Sequence, residues 1–292
     1  MGWLSYSSLV ASLLAFPPSG VSFCDTQPAP MQQPISAAPK GFDQKREGIP
    51  RGTLETVQYE STTLGAKRKV RVYTPPGLSK DQCYPVLYLL HGIGGDENEW
   101  ARNGAPDVIL DNLYAEQKAV PMIVVLPNGR ASTELTARDP IPKQSPAFAK
   151  FEQELLKDLI PFIEKNYPVI ADRESRALFG LSMGGGQALN FGLGNLDSFA
   201  WVGGFSSAPN TRPPATLIKD HAEAAQKLRL LYVACGDKDG LFRISQAAHQ
   251  MLDEKKVPHL YRVIPGGGHD FKVWKDDLYQ IAQLIFRPAT TR

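Results

Sequence analysis

At 292 residues, 42% of them hydrophobic and 21% charged, the chain has ample apolar content for a buried core, which excludes a disordered or fibrous protein. Its 32 basic and 30 acidic residues leave a formal charge of +2 with no basic block, so nucleic acid is not an expected partner. Three cysteines cannot make a disulfide framework, and no Cys/His cluster has metal-ligand spacing.

In chain order, residues 8–16 form a short apolar run of signal-peptide length, too short to span a bilayer as a helix, with Gly20 and Ser22 as small residues before a cleavage site. Residues 1–22 therefore read as a signal peptide of a secreted or periplasmic protein, although no Lys or Arg precedes the run. Residues 23–50 carry Pro28, Pro30, Pro34, Pro39 and Pro50 among polar residues and read as a linker or disordered arm. The remainder, 51–292, is read as one domain.

Residues 53–61 and 66–74 alternate apolar and polar positions around Thr-Thr-Leu-Gly, which predicts an antiparallel hairpin. Lys67, Arg68, Lys69 and Arg71 within it read as a solvated strand face. The runs 85–90 and 121–126 are continuously apolar, as strands covered on both faces must be. A helix is expected over 105–118, and a longer one over 146–166 with Ser145 as N-cap and a kink at Pro161. Strands are then predicted at 175–179, 199–205, 228–235 and 259–264, alternating with helices near 185–193, 241–255 and 273–286. A hairpin followed by alternating strands and helices predicts an α/β domain with a doubly wound, mostly parallel sheet. Cys83 and Cys235 sit beside apolar strands and read as two buried thiols rather than a disulfide.

Gly-Leu-Ser-Met-Gly at 180–184 follows one of these strands and precedes a helix. A serine at the tip of so sharp a turn needs almost no side chain two positions before and after it, so Gly180 and Gly184 nominate Ser182 as a nucleophile. Chance alone gives such a pentapeptide in roughly one chain in ten of this length at average glycine content. The pattern therefore needs partners. Of five histidines, His269 follows a late strand in the loop Pro-Gly-Gly-Gly-His and is the expected base, whereas His91 precedes the serine in the chain and His221, His249 and His259 lie within elements. The strand before it ends in Cys-Gly-Asp-Lys-Asp-Gly, offering Asp239, or less favourably Asp237, as the orienting carboxylate. The order Ser, Asp, His, each beyond a strand, is that of an α/β-hydrolase. Met183 N–H and Ile93 N–H, the latter in His-Gly-Ile-Gly-Gly, are the expected oxyanion donors. Asp270 reads as structural.

With those residues in view, the chain resembles the feruloyl esterases of the first carbohydrate esterase family, within the esterase D-like α/β-hydrolases. The resemblance spans residues 53–287 and rests on Leu-Leu-His-Gly-Ile-Gly-Gly, Glu-Asn-Glu-Trp100, Glu-Leu-Leu-Lys-Asp-Leu-Ile-Pro161, Gly-Leu-Ser-Met-Gly-Gly-Gly186, Ser-Ala-Pro-Asn210 and Gly-Gly-Gly-His-Asp-Phe-Lys-Val-Trp274. It implies cofactor-free hydrolysis of hydroxycinnamoyl esters on arabinoxylan or its oligosaccharides, and it favours Asp239 as the acid. The segment Gly129–Ala147 is expected to border the acyl pocket, with Trp100 and Trp274 facing substrate. Alternatives with the same triad are an acetylxylan or short-chain carboxylesterase, an S-formylglutathione hydrolase and a sugar acyltransferase.

Overall fold

The computed structural model describes residues 1–2 and 36–287 of the chain. The apolar run, the cleavage site and linker residues 23–35 lie outside the described residues. No helix among the described residues is long and apolar enough to cross a membrane.

Strict alternation gives the opening hairpin: β1 (Thr53–Ser61) and β2 (Ala66–Thr74) pair antiparallel from Thr53 opposite Thr74 to Ser61 opposite Ala66. The tight connection is closed by Gly65 at φ 64°, a left-handed conformation that glycine adopts without a Cβ clash. β3 (Val86–Leu90), β4 (Ile123–Pro127), β5 (Arg176–Leu181), β6 (Trp201–Phe205), β7 (Leu230–Gly236) and β8 (Leu260–Ile264) complete an eight-stranded sheet. Its order is β1-β2-β4-β3-β5-β6-β7-β8, antiparallel as far as the β2–β4 pair and parallel beyond it. The expected fold class, an α/β-hydrolase sheet with an N-terminal hairpin, is the observed one.

The apolar runs are continuous because helices cover both faces. Val86, Tyr88 and Leu90 of β3 point into one core with Phe151 of α3 (Ile141–Glu154) and Phe191 of α5 (Ser182–Gly194). Leu87 and Leu89 point into the other, against Leu110 of α2 (Pro106–Ala115) and Leu278 of the C-terminal helix (Phe271–Leu284). Truncating one of these side chains, Leu89 for example, is expected to cost about 2–5 kcal/mol. In a parallel sheet all the C-terminal strand ends lie along one edge, and the loops after β3, β4, β5, β7 and β8 meet there.

Four local expectations are corrected. The long helix begins at Ile141, because Pro140 and Pro142 open it without needing amide donors, and the Ser145 hydroxyl bonds back to the Ile141 carbonyl instead of capping. Its irregularity is a π-turn at Leu155–Leu159, where the Ile160 N–H reaches the Leu155 carbonyl five residues back, just before Pro161 withdraws a donor. Arg68 is buried, not solvated: it shares a strand face with Val70 and pairs with Glu154 at 3.0 Å. Cys83 is exposed, while Cys235 is buried, and both are free thiols.

Residues 36–50, expected to be loose, are tied down. Ala38 N–H donates to Asp276 at 2.9 Å, Gln280 donates to the Ser36 carbonyl, and Asn112 donates to the carbonyls of Phe42 and Gln44. Phe42 packs edge-on against Tyr279, with ring centroids 5.2 Å apart. Composition misses this because the segment is anchored through its backbone and buries little apolar surface of its own.

Candidate functional site

Ser182 sits at the junction of β5 and α5 with φ 52°, a left-handed backbone that a non-glycine residue adopts only where its surroundings enforce it. A Cβ at position 180 would run into the Gly184 carbonyl, and one at position 184 into the His91 carbonyl. Both glycines are therefore required by contact. The Ser182 carbonyl accepts from Ala208 N–H at 3.0 Å, which fixes the turn against the loop after β6.

The loops after β7 and β8 bring two more side chains to the same place. His269 Nε2 lies 3.0 Å from Ser182 Oγ, placed to accept its proton, and His269 Nδ1 lies 2.8 Å from Asp239 Oδ2. Asp239 is buried, and burial alone would push its pKa up. Hydrogen bonds from Leu241 N–H at 2.8 Å, the Ser206 hydroxyl and His269 outweigh this and hold the carboxyl below the ordinary range, so it is ionised at neutral pH. Asp237 is not in this chain: its Oδ1 accepts from Gly266 N–H at 2.8 Å and ties the two loops together. Asp270 caps the helix that follows, which we call the His-loop helix, by accepting from Lys272 and Val273 N–H.

The two expected backbone donors lie at the start of α5 and in the loop after β3. The Met183 N–H belongs to the first turn of α5, where no intrahelical acceptor exists, and Ile93 N–H makes no hydrogen bond with the described residues. The loop carrying Ile93 is held from three directions. His91 Nδ1–H donates to the Gly92 carbonyl at 2.6 Å, while its Nε2 accepts from Gly129 N–H at 2.8 Å. Complete burial lowers the His91 pKa to about 4, so the ring is neutral with its proton on Nδ1. Glu99 accepts from Gly92 N–H at 2.8 Å, its pKa raised by burial, and the Arg130 guanidinium reaches the Ile93 carbonyl at 2.7 Å. Gln187, one turn along α5, donates to the carbonyls of Gly129 and Phe148 at 2.9 and 2.7 Å.

A small apolar cluster separate from both cores lies beside Ser182: Phe148, Met183 and Ala208, with Ile93 and Leu241 packed on its edge. Trp100 is not part of it. That side chain is 1% exposed, its Nε1–H donates to the Leu90 carbonyl at 3.0 Å, and it packs against Phe205 and Phe271, so the expectation that it faces substrate is corrected to a core role. Trp274 is also buried, but its ring stands edge-on to His269 with centroids 4.9 Å apart, bracing the imidazole. A recess of about 210 Å³ lined by Pro50, Pro75, Pro76, Tyr114, Ala115 and Pro121 lies at the opposite, N-terminal end of β4, and it contains no group able to attack an ester.

The Esterase family, described as "Putative esterase", matches residues 61–285. The chain belongs to this family. The chain is 30% identical over 265 residues to an endo-1,4-beta-xylanase/feruloyl esterase of Xylanibacter ruminicola, covering 87% of this chain but only 34% of that protein. An acetyl esterase of Caldicellulosiruptor saccharolyticus is 27% identical over 223 residues, which is 65% of this chain and 78% of that one. Among solved structures, a ferulic acid esterase of Anaeromyces mucronatus in complex with ferulic acid superposes with a TM-score of 0.77 at 28% identity, covering 87% of this chain and 98% of the fungal chain.

Sequence reasoning named the three side chains around Ser182 Oγ but missed His91 as a structural element, together with Glu99, Arg130, Gln187 and Ser206. One signal was available. A histidine closing a fully apolar strand and followed by glycine is a polar group placed where it must be buried and bonded.

Proposed function

We propose that the chain is a serine esterase that hydrolyses hydroxycinnamoyl esters of plant cell-wall arabinoxylan, with Ser182, His269 and Asp239 as its catalytic triad. The observation that carries this is the unbroken chain of hydrogen bonds from Ser182 Oγ through His269 to Asp239, 3.0 and 2.8 Å long. Ser182 Oγ attacks the ester carbonyl as His269 Nε2 takes its proton, and Asp239 holds the ring in the Nδ1–H tautomer and offsets the imidazolium charge. Ile93 and Met183 N–H receive the oxyanion. His269 then protonates the departing sugar oxygen, the C–O bond breaks, and the acyl group remains on Ser182. Water, deprotonated by the same imidazole, releases the acid and restores the serine.

The acyl preference rests on the apolar cluster of Phe148, Met183, Ala208, Ile93 and Leu241, a surface that suits a planar aromatic acid. It is also supported by the ferulic acid bound to the Anaeromyces relative. The Gly129–Ala147 segment contributes by delivering Phe148 to that surface. A polymeric substrate outside the cell fits the export read from residues 1–22. Turnover of methyl ferulate, an aryl acetate, S-formylglutathione and a feruloyl ester with added polyol tests the reading. Preference for methyl ferulate with water as acceptor is expected. Selective acetate or formate release, or acyl transfer to the polyol, would overturn it.

A further inference from the structure

The guanidinium of Arg130 is 3% exposed, yet no carboxylate lies within ion-pairing distance of it among the described residues. Its partners are neutral oxygens: Nη2 donates to the Ile93 carbonyl at 2.7 Å and the Gly95 carbonyl at 3.2 Å, and Nε donates to Gln144 Oε1 at 2.7 Å. The charged plane also lies over the Phe148 ring, 5.3 Å from its centroid. Burying a cation on carbonyls alone is expensive, and an apolar residue of similar volume fills such space at lower cost. Stability therefore gives no reason for an arginine here, but placement does.

The Ile93 N–H shares a peptide plane with the Gly92 carbonyl, which His91 Nδ1–H holds, while Arg130 holds the Ile93 carbonyl in the next peptide unit. With both units held, rotation about the Ile93 Cα is restricted and the N–H keeps one direction. We infer that Arg130 is a positioning residue that, by holding the peptide unit after Ile93, aims the Ile93 N–H at the developing oxyanion. This inference rests on the triad reading above. Arg130 does not touch substrate.

The test uses Arg130→Met and Arg130→Lys in the full chain, with methyl ferulate as substrate. Loss of one oxyanion donor typically costs about 10²–10³ in kcat. A misdirected donor is therefore expected to lower kcat about 10²-fold for Arg130→Met and about 10-fold for Arg130→Lys, whose single ammonium cannot hold both carbonyls and Gln144. KM is expected to change less than about threefold, since uniform binding is untouched. Affinity for an arylboronic acid, which forms a tetrahedral adduct on the serine, should fall with kcat while affinity for free ferulate holds. Arg130→Lys decides the matter if Arg130→Met does not fold. The inference is overturned if folded variants keep kcat within about threefold, or if boronate and ferulate affinity fall together, the mark of a general collapse. An active Ser182→Ala would instead sink the triad reading, so the two failures are separable.

Discussion

The two sides of Ser182 are built by different means. On the acid–base side, His269 and Asp239 stand on loops directly after parallel strands and reach each other through their own side chains. On the proposed oxyanion side the donors are backbone amides, and His91, Glu99 and Arg130 hold the loop that carries Ile93 while Gln187 ties the neighbouring Gly129 and Phe148 carbonyls to α5. A side-chain group can be aimed by its own rotamer. A backbone donor is aimed only by fixing the carbonyls around it, which takes several buried polar groups, each costly unless satisfied.

The strongest break of this comparison is Ser182→Ala, expected to lower kcat by about five to six orders of magnitude with little change in melting temperature, since the variant keeps the turn's glycines. Comparable turnover in that variant would remove the acid–base side altogether. Next is Asp239→Asn, expected to cost about 10⁴ in kcat by spoiling the imidazole tautomer, against less than about threefold for Asp237→Asn. Reversed effects would mean that the acid has been assigned to the wrong loop.

The oxyanion side carries its own pH signature. Unfolded chain holds a proton on His91 up to about pH 6.5. The folded protein releases it at about 4, because complete burial disfavours the charged ring. Between those values the unfolded state binds more protons, so stability is fully present above about pH 6.5 and declines as pH falls toward 4. Urea unfolding across that range should show a loss on the order of a few kcal/mol that flattens in His91→Leu. The smallest expected effect is at Trp100. Trp100→Phe should leave kcat and KM within about twofold but lower stability by about 1–2 kcal/mol, because its indole hydrogen bond is made to Leu90 and not to substrate.

Legibility in the sequence follows the same division. Glycines at 180 and 184 are written into the motif because a Cβ at either position collides with backbone, and the Gly-Gly-Gly run before His269 marks the loop after β8. Strand positions were readable because two covered faces leave no polar alternation in β3, β4 and β7. Arg130 and Gln187 left no such trace. Their roles depend on carbonyls distant in sequence, 37 and 58 positions away for Ile93 and Gly129, and local pattern carries no information about them. Trp100 was misread for a related reason. It is expected at the acyl pocket beside the Gly129–Ala147 segment, whereas its indole turns inward and donates to the Leu90 carbonyl at the end of β3.

The central claim is that Ser182 carries the acyl group between the two half-reactions. Rapid quenching of the enzyme with methyl ferulate in acid, followed by peptide mass spectrometry, reads this directly. A feruloyl mass on the peptide containing Ser182, absent when Ser182 is replaced by alanine, is the predicted result. An adduct on another residue, or unimpaired ferulate release by Ser182→Ala, would contradict it.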